Sequence, residues 1–462
     1  MGDQRQTDPK LFLYSVDLER RVRKGNRLRK VAERIDFSFV RSRVKDSYGQ
    51  KGHESEDPIV IMKLMFLLYF ENVQSERELM RQVSERIDWM WFLGFGLEDA
   101  IPHHSILSKA RARWGREVFE ELFVKVLQSC IKAGLVDGRK IHMDASLVDA
   151  HASLKSIKAG PEALIENLKC VYLGEEKKLV YSQTATKRRT VSRTDPDAAV
   201  VGRRRQPGSS RPRYKNHRVV DDRQGVITAM ETTSGDVAED SKFVELIAQH
   251  ESNTRQKVES VAADTQYGTN DNFAECAERG IEAHMADLRE SQSSAGFTIE
   301  AFTFAAESDS YVCPAGQVLH RISDDRSWQV YAISGGLCND CALKARCTTS
   351  SNGRKLKRHK RHDSIVSARA QSHSVRAITA RRRRKHLMER SFADAANNHH
   401  FKRSRWRRLW RQQIQDLLIA ASQNIRLLVS SKGFKPACEA TVQAFQAFIG
   451  HQTLSFSQIW RS

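Results

Sequence analysis

The sequence predicts an α/β protein with an all-α N-terminal region and a small Cys-rich insertion. Three observations predict this fold class. From Asp57 to Leu135 the apolar residues recur at helical spacing. After Gly138 apolar and polar residues alternate, as they do in a half-buried strand. Between Tyr311 and Cys347 a short stretch with closely spaced cysteines interrupts the pattern.

The composition indicates a folded protein with a polyanionic partner. A hydrophobic content of 40% with only 24 glycines and 9 prolines in 462 residues excludes collagen-like and wholly disordered chains. Lysine and arginine total 76 against 56 acidic residues, a net charge of +20. Residues 352–411 alone hold 20 basic and 3 acidic residues. A polyanion is the partner that such a basic segment favours.

The chain shows no segment typical of a membrane or secreted protein. Its longest apolar run, residues 59–70, is interrupted by Lys63 and is shorter than the ~20 residues that span a bilayer. Residues 1–10 are polar and lack the order of a secretory signal. We therefore expect no membrane partner, a cytoplasmic location and reduced cysteines.

Residues 1–135 are predicted to form a helical domain. Ser75 begins one helix, with Glu78 three residues later in the reciprocal capping arrangement. The next helix begins at the segment Pro102-His-His-Ser105. Its apolar residues have helical spacing (Ile106, Leu107, Ala110, Trp114) and its basic residues lie on other faces (Lys109, Arg111, Arg113). Two interpretations fit: a helix-turn-helix that binds DNA, or a packing domain with a solvated basic face.

Residues 136–305 are predicted to form the first part of the α/β core. Asp144 lies on the polar face of the first strand, opposite Ile141 and Met143. A later strand, residues 258–263, ends on Asp264.

Between these two strands the sequence predicts a loop and a hairpin. Residues 191–213 are rich in Arg, Pro, Gly and Ser, and we predict a mobile loop. Residues 222–225 form a turn signal between the apolar runs 218–221 and 226–230, which predicts a β-hairpin.

The segment 306–375 is predicted to be a Cys-rich basic insertion. Its four cysteines have the spacing C-x24-C-x2-C-x5-C (Cys313, Cys338, Cys341, Cys347). Two thiolates on one tight turn can bind the same ion, so one structural Zn²⁺ is the first interpretation. An iron–sulfur cluster and unliganded buried thiols are the alternatives.

Residues 376–430 are predicted to be helices that close the core, and residues 431–462 a C-terminal tail. The last helix has an apolar stripe that is predicted to be core (Trp406, Trp410, Ile414, Leu417, Ala421, Ile425, Leu428). Upstream of it lie the basic segment 354–361 and five consecutive cations (Arg381, Arg382, Arg383, Arg384, Lys385). We predict that both contact DNA phosphate; ordinary solvated charge is the alternative.

Asp144, Asp264 and Glu389 are the candidate metal ligands. Transfer of a phosphodiester needs a stabilised charged transition state and an activated hydroxyl, which two metal ions ~3.5–4 Å apart can supply. Mg²⁺ prefers oxygen ligands such as these carboxylates. A buried salt bridge is the alternative reading of the same acids.

Four segments in order resemble the DDE transposases of bacterial insertion sequences. They are His142-Met-Asp-Ala-Ser-Leu-Val-Asp-Ala-His-Ala-Ser153, Thr194-Asp-Pro-Asp-Ala198, Ala262-Ala-Asp-Thr-Gln-Tyr-Gly268 and Met388-Glu-Arg-Ser-Phe-Ala-Asp-Ala395. The helical stretch 57–112, with Trp91-Phe-Leu-Gly94 and Pro102-His-His-Ser105, is similar to the N-terminal domain of that family. The resemblance runs from about Leu11 to Leu428 and is to the subgroup with a Cys-rich insertion.

The resemblance implies a ribonuclease-H-like core, a mixed sheet flanked by helices. In it Asp144, Asp264 and Glu389 would hold two Mg²⁺ or Mn²⁺ ions, with Asp149 as the reserve for the first position. The N-terminal helices would bind the ends of the element.

The same resemblance implies DNA contacts around the third carboxylate. Arg390 is placed to contact DNA phosphate. The family commonly has a Lys seven residues after the Glu, but this chain has Ala396. Lys402 and Arg403 are predicted to supply the missing contact.

The implied activity is cleavage of double-stranded DNA at the ends of an element, followed by attack of the freed 3′-hydroxyl on target DNA. The expected partners are the terminal inverted repeats and the target, bound by a homodimer or larger assembly near the nucleoid. Two alternatives stay open: a metal-dependent nuclease that cuts without joining, and a catalytically degenerate copy that binds DNA.

Overall fold

The computed structural model describes residues 17–48, 56–159, 190–202, 208–288 and 296–431. The predicted C-terminal tail lies outside these ranges, except for its first residue.

The N-terminal region is helical in its described part, as predicted. Its helices are α1 (Leu18–Arg21), α2 (Arg27–Arg34), α3 (Phe39–Val44), α4 (Pro58–Phe70), α5 (Glu76–Val83), α6 (Ile87–Leu93), α7 (Ser105–Trp114) and α8 (Glu117–Lys132). Helix α4 is the apolar run of the sequence, and nine of its 13 residues are buried. Asp57 begins it by accepting a hydrogen bond from the backbone N–H of Ile59 (3.0 Å). Pro58 follows in the first turn, where a missing N–H costs nothing.

Two details of these helices differ from the predictions. Ser75 Oγ accepts from the backbone N–H of Glu78 (3.1 Å), but the Glu78 carboxylate binds Arg81 at 2.6 Å instead of completing the reciprocal cap. Arg111, which both interpretations of the sequence placed on a basic face away from the core, is only 2% exposed. Its Nη1 lies 2.6 Å from Oε1 of Glu76, a partner that sequence periodicity cannot reveal.

The core is built on a mixed sheet. Its strands are β1 (Lys140–Asp149), β2 (Ile157–Ala159), β3 (Thr190–Ser192), β4 (Ala199–Val201), β5 (Arg211–Asp221), β6 (Ile227–Ser234), β7 (Ser260–Ala262) and β8 (Glu282–His284), with helices α9 (Phe243–Thr254) and α10 (Asn270–Arg279). Strands β6, β5 and β1 are antiparallel neighbours, and β7 and β8 run parallel to β1 on its other side. This order is the ribonuclease-H-like arrangement that the resemblance implied.

The predicted hairpin is confirmed as β5 and β6, whereas the prediction of a mobile loop at 191–213 is wrong for its described part. Those residues form β4 and parts of β3 and β5, and they are held by buried polar contacts. Asp195 is fully buried and accepts a hydrogen bond from the Tyr214 hydroxyl (2.6 Å). A polar composition hid this ordered segment because its partners lie elsewhere in the sequence.

The insertion folds around a second, antiparallel sheet. Its strands are β9 (Thr303–Ala305), β10 (Ser310–Val312), β11 (Val318–Asp324), β12 (Trp328–Ala332) and β13 (Lys355–His359), with short helices α11 (Gly335–Asn339) and α12 (Lys344–Cys347). Each strand pairs with the next along the chain. Six buried side chains form its core (Phe302, Tyr311, Leu319, Tyr331, Ile333, Leu356).

Three helices close the core: α13 (His362–Ser372), α14 (Val375–His399) and α15 (Leu409–Ser430). The predicted apolar stripe is confirmed from Ile414 to Leu428, while Trp406 precedes the helix. The polar side of α15 is buried as well (Gln412, Gln415, Asp416, Ser422, Gln423, Asn424).

These helices complete two apolar layers around the large sheet. One layer joins β1, β5 and β7 to α9, α10 and α13. The other joins the opposite face to α14, α15 and the N-terminal helices. The second face of the sheet is therefore the one that α14 crosses.

Candidate active site

Two of the predicted carboxylates meet where β1 and β7 run side by side. The strands pair at His142 and Ala262. Asp144 and Asp264 each lie two residues beyond that pair, at the same level of the sheet. Arg384, on α14, lies between them: its Nη1 is 2.6 Å from Oδ2 of Asp144, and its Nη2 is 3.9 Å from Oδ1 of Asp264.

The electrostatics of this pair are those of two partly buried like charges. Burial raises the pKa of Asp144, Arg384 opposes the rise, and the charge of Asp264 adds to it. A backbone amide binds one oxygen of each carboxylate: Ala145 N–H donates to Oδ1 of Asp144 (2.8 Å), and Thr265 N–H donates to Oδ1 of Asp264 (2.7 Å). Each carboxylate thus has one oxygen bound by a backbone amide, and the single guanidinium offsets part of their combined negative charge.

Glu239 is a third acidic side chain in this neighbourhood, and sequence reasoning missed it. Burial raises its pKa, Lys215 lowers it, and the charges of Asp144 and Asp264 raise it again. Lys215 Nζ lies 3.7 Å from its Oε1. Glu239 follows β6 in a stretch without a recognisable motif, so no sequence signal could have found it.

Glu389 stands apart from the two aspartates. It lies on α14 five residues after Arg384, which places it about 140° around the helix and about 7.5 Å further along. Its side chain is exposed. Within the described ranges, no group of three or more His, Cys, Asp or Glu side chains is arranged to hold a metal ion.

The predicted DNA-contacting cations have different surroundings. Arg383 pairs with Asp222, Arg381 donates to the carbonyl of Ser372 (2.6 Å) and Arg390 donates to the carbonyl of Gln224 (2.6 Å). Arg382, Lys385 and Arg403 are exposed. Lys402 is exposed too, and its Nζ donates to the Ser146 hydroxyl (2.9 Å), two residues along β1 from Asp144.

The reserve candidate Asp149 has a different environment at the far end of β1. Its two oxygens accept from Arg213 (2.7 Å) and Arg211 (3.1 Å). Its backbone pairs with Arg403, which attaches the segment before α15 to the sheet. This ion-pair arrangement ties strands together.

The motif Thr194-Asp-Pro-Asp-Ala198 lies at the start of α15. Asp195 Oδ1 accepts from the backbone N–H of Arg408 (3.1 Å), and Asp197 Oδ2 accepts from that of Leu409 (3.0 Å). Carboxylates satisfy free amides and favour the positive end of a helix. The motif therefore caps the closing helix.

A buried polar network under the site fixes α14 and α15 to the sheet. Arg218, opposite Asp144 in the β1–β5 register, donates to Asn216 (2.9 Å), Ser391 (3.0 Å) and Gln423 (3.1 Å). Burial lowers the pKa of Arg218 to about 10.

Asp416 anchors the other end of that network. It accepts from Thr232 (2.6 Å), Asn216 (2.9 Å) and Gln412 (2.7 Å). Burial raises the pKa of Asp416 to about 6 despite these bonds.

The four cysteines of the insertion line one small cavity of about 30 Å³. They are Cys313, Cys338, Cys341 and Cys347. Burial raises the pKa of Cys347, Arg354 lowers it, and the other three thiols raise it again. Four thiols, two of them on one turn (Cys338 and Cys341), thus line the same cavity, although they are not close enough together to bind a metal ion as they stand.

Two family models match the chain. One, described as a transposase domain (DUF772), matches residues 16–113, and one described as a transposase DDE domain matches residues 312–429. The chain thus contains two transposase domains, of which the second is a DDE domain. The first match covers the N-terminal helices, and the second covers most of the insertion together with α14 and most of α15. Asp144 and Asp264 lie between the two matches.

A solved structure, the piggyBac transposase synaptic complex with hairpin DNA, is similar to this transposase at 9% identity. The alignment covers 90% of this chain and 82% of that chain, with a TM-score of 0.23. A TM-score this low carries no argument about fold or function. No curated protein matches the chain. Among the described residues, no helix has the length and apolarity to cross a membrane.

Proposed function

We propose that this protein cleaves double-stranded DNA at the ends of a mobile element and joins the freed ends to target DNA. The observation that carries the proposal is the pair Asp144 and Asp264 on adjacent parallel strands of a ribonuclease-H-like sheet, bridged by one cation. Two carboxylates in this relation are the donor set that Mg²⁺ or Mn²⁺ prefers. The carboxylate oxygens of Asp144 and Asp264 are donors of the type that such an ion binds.

In this proposal Asp144 and Asp264 hold divalent metal, and Glu389 completes the set. Bound metal would supply Lewis acidity at the scissile phosphate and activate the attacking hydroxyl. Because Glu389 lies on another face of α14, its participation needs a movement of that helix or of bound DNA.

The reaction is two displacements at phosphorus. Water attacks the phosphate at the element end, the bond from phosphorus to the 3′-oxygen breaks, and a 3′-hydroxyl is released. That hydroxyl then attacks a target phosphate and displaces the target's own 3′-oxygen. The protein's part is positioning and charge stabilisation.

The exposed cations beside the site would bind the DNA backbone. Arg382, Lys385, Lys402 and Arg403 are exposed close to α14 and β1. Phosphate contacts of this kind give affinity and a steep salt dependence without sequence choice. Choice of the terminal repeats is assigned to the N-terminal helices, and synapsis of two ends to a dimer or larger assembly.

We also propose that the four cysteines of the insertion bind one structural Zn²⁺. The donor type and number match a tetrahedral thiolate site. The small cavity that all four thiols line supports this role.

A joining assay tests the proposed activity. Labelled duplexes from the DNA that flanks the gene are incubated with plasmid, Mg²⁺ and either the wild-type protein or Asp264→Asn. Metal-dependent joined product that is absent with the variant supports the proposal. Cut but never joined ends would identify a nuclease, and bound but uncut DNA would identify a degenerate DNA-binding copy.

A further inference from the structure

Arg384 occupies an unusual place for a residue in a run of five cations. Its side chain is 14% exposed, although Arg382 and Lys385 on the same helix are exposed. The guanidinium points into the sheet and reaches both Asp144 (2.6 Å) and Asp264 (3.9 Å).

Asp144 and Asp264 are two like charges that the same guanidinium contacts, and a nearby positive charge stabilises their ionised forms. The other nearby cations are engaged elsewhere. Lys215 forms an ion pair with Glu239 and donates to the carbonyl of Val237. Arg218 donates to Ser391 in the network beneath α14. Of the described cations, Arg384 is the one that contacts both aspartates.

The contact is nevertheless incomplete. The Nε of Arg384 is buried without a hydrogen-bond partner, and 3.9 Å to Asp264 exceeds hydrogen-bond length. A buried unsatisfied donor costs free energy. The same two carboxylates are the proposed ligands of a divalent ion, which would lie within a few ångströms of the guanidinium and repel it.

We propose that Arg384 is a resident counter-ion which divalent metal displaces, and that the displaced guanidinium then binds DNA phosphate. This inference rests on the proposed function, because it takes Asp144 and Asp264 as the metal ligands. Arg384 is a positioning residue here: it holds the two carboxylates together until metal arrives.

Displacement of Arg384 couples the binding of divalent metal to the binding of DNA. DNA that binds the outward guanidinium favours the metal-competent state, and metal favours DNA by the same factor. The wild-type protein should therefore bind Mn²⁺ more tightly when DNA is present. A variant that lacks the cation should bind Mn²⁺ tightly with or without DNA.

The test measures Mn²⁺ affinity by calorimetry and by electron paramagnetic resonance of free Mn²⁺. We expect Arg384→Gln to bind Mn²⁺ about tenfold more tightly than wild type without DNA, and duplex DNA to raise the affinity of wild type by about the same factor. Arg384→Lys, which keeps the charge without reaching both carboxylates, should fall between. In the absence of DNA, Arg382→Gln is the matched control on the same helix and should bind Mn²⁺ as the wild type does.

The outcomes separate the two proposals. If wild type binds Mn²⁺, Asp144→Asn does not, and Arg384→Gln and Arg384→Lys bind no more tightly than wild type, the counter-ion inference is wrong while the metal site stands. If the wild-type protein and both Arg384 variants bind Mn²⁺ no better than Asp144→Asn, the proposed metal site itself is wrong. Circular dichroism of each variant checks the fold.

Discussion

The large sheet and the insertion sheet are stabilised by different kinds of interaction. The large sheet has an apolar layer on each face, and the buried polar network of Arg218 and Asp416 adds contacts among β5, β6, α14 and α15. The insertion sheet has a core of six buried apolar side chains and a cavity lined by four thiols. A core that small rarely stabilises a sheet by itself, and small domains usually need a metal or a disulfide.

The two regions differ in the side chains that fix their structure. In the large core, buried polar groups fix α14, the helix that carries both Arg384 and Glu389, to the sheet and to α15. In the insertion, the sequence supplies thiols where a larger domain would supply apolar volume. The two regions should therefore respond to different perturbations.

The largest effect is expected from removing thiols of the insertion. The double variant Cys338→Ser, Cys341→Ser should lose about one bound Zn²⁺ per chain and, with it, metal-binding free energy on the order of 10 kcal/mol. Mass spectrometry of bound metal and limited proteolysis of the insertion are the measurements. Cys276→Ala, which alters a buried core thiol, should keep its zinc. Wild-type protein without zinc would contradict the comparison.

Breaking the buried network should destabilise the core next most strongly. Arg218→Gln leaves Ser391 and Gln423 without their cationic donor, and we expect a loss of about 3–5 kcal/mol in the free energy of unfolding. Urea denaturation measures it. The exposed Arg382→Gln should stay within about 0.5 kcal/mol of wild type. Equal effects of the two variants would show that the buried network of Arg218 does not stabilise the core.

The pH dependence of stability should report Asp416. Its pKa is raised from 3.8 to about 6, so the folded chain holds this proton more tightly than the unfolded chain. That contribution is fully present below about pH 4 and is lost as the pH rises through 6. Wild type should gain up to roughly 3 kcal/mol from this group between pH 7 and pH 4.

The variant Asp416→Asn should show a flatter curve of Tm against pH between 5 and 7. Asp340→Asn, at an exposed position of the insertion, should reproduce the wild-type slope. An unchanged slope in Asp416→Asn would show that this carboxyl does not titrate as its burial requires.

The smallest expected effect is within the insertion. The Tyr331 hydroxyl donates to Asp309 (2.6 Å), so Tyr331→Phe should cost about 1 kcal/mol locally. Hydrogen exchange of strands β10 to β12 should accelerate while that of β5 and β6 stays constant. Faster exchange in both sheets would mean that the regions unfold as one unit.

The sequence alone predicted the features that depend on local pattern. Helical periodicity predicted the N-terminal region, and alternation with strand ends predicted the strands that carry Asp144 and Asp264. The positions of Arg111, Arg218 and Arg384 were not predictable. An arginine in a sequence is usually solvated, and each of these three has a partner 35 or more residues away: Glu76 for Arg111, Ser391 for Arg218 and Asp144 for Arg384.

Glu239 and Glu389 show that a sequence motif does not by itself locate a residue in the site. Glu239 has no motif and yet interacts with both aspartates through space. Glu389 has a motif and yet is exposed on α14 away from them. A motif records residue order, whereas the site depends on which face of a helix meets the sheet.

The most direct test of the central claim compares two aspartates of one strand. Asp144→Asn and Asp149→Asn alter the same motif, but Asp144 faces Asp264 across Arg384 while Asp149 binds Arg211 and Arg213. In the joining assay with Mg²⁺, we expect Asp144→Asn to lose at least about 1,000-fold in joining rate and Asp149→Asn, once shown to be folded, to keep most of it. Full activity in Asp144→Asn, or equal losses in two folded variants, would contradict the assignment of the active site.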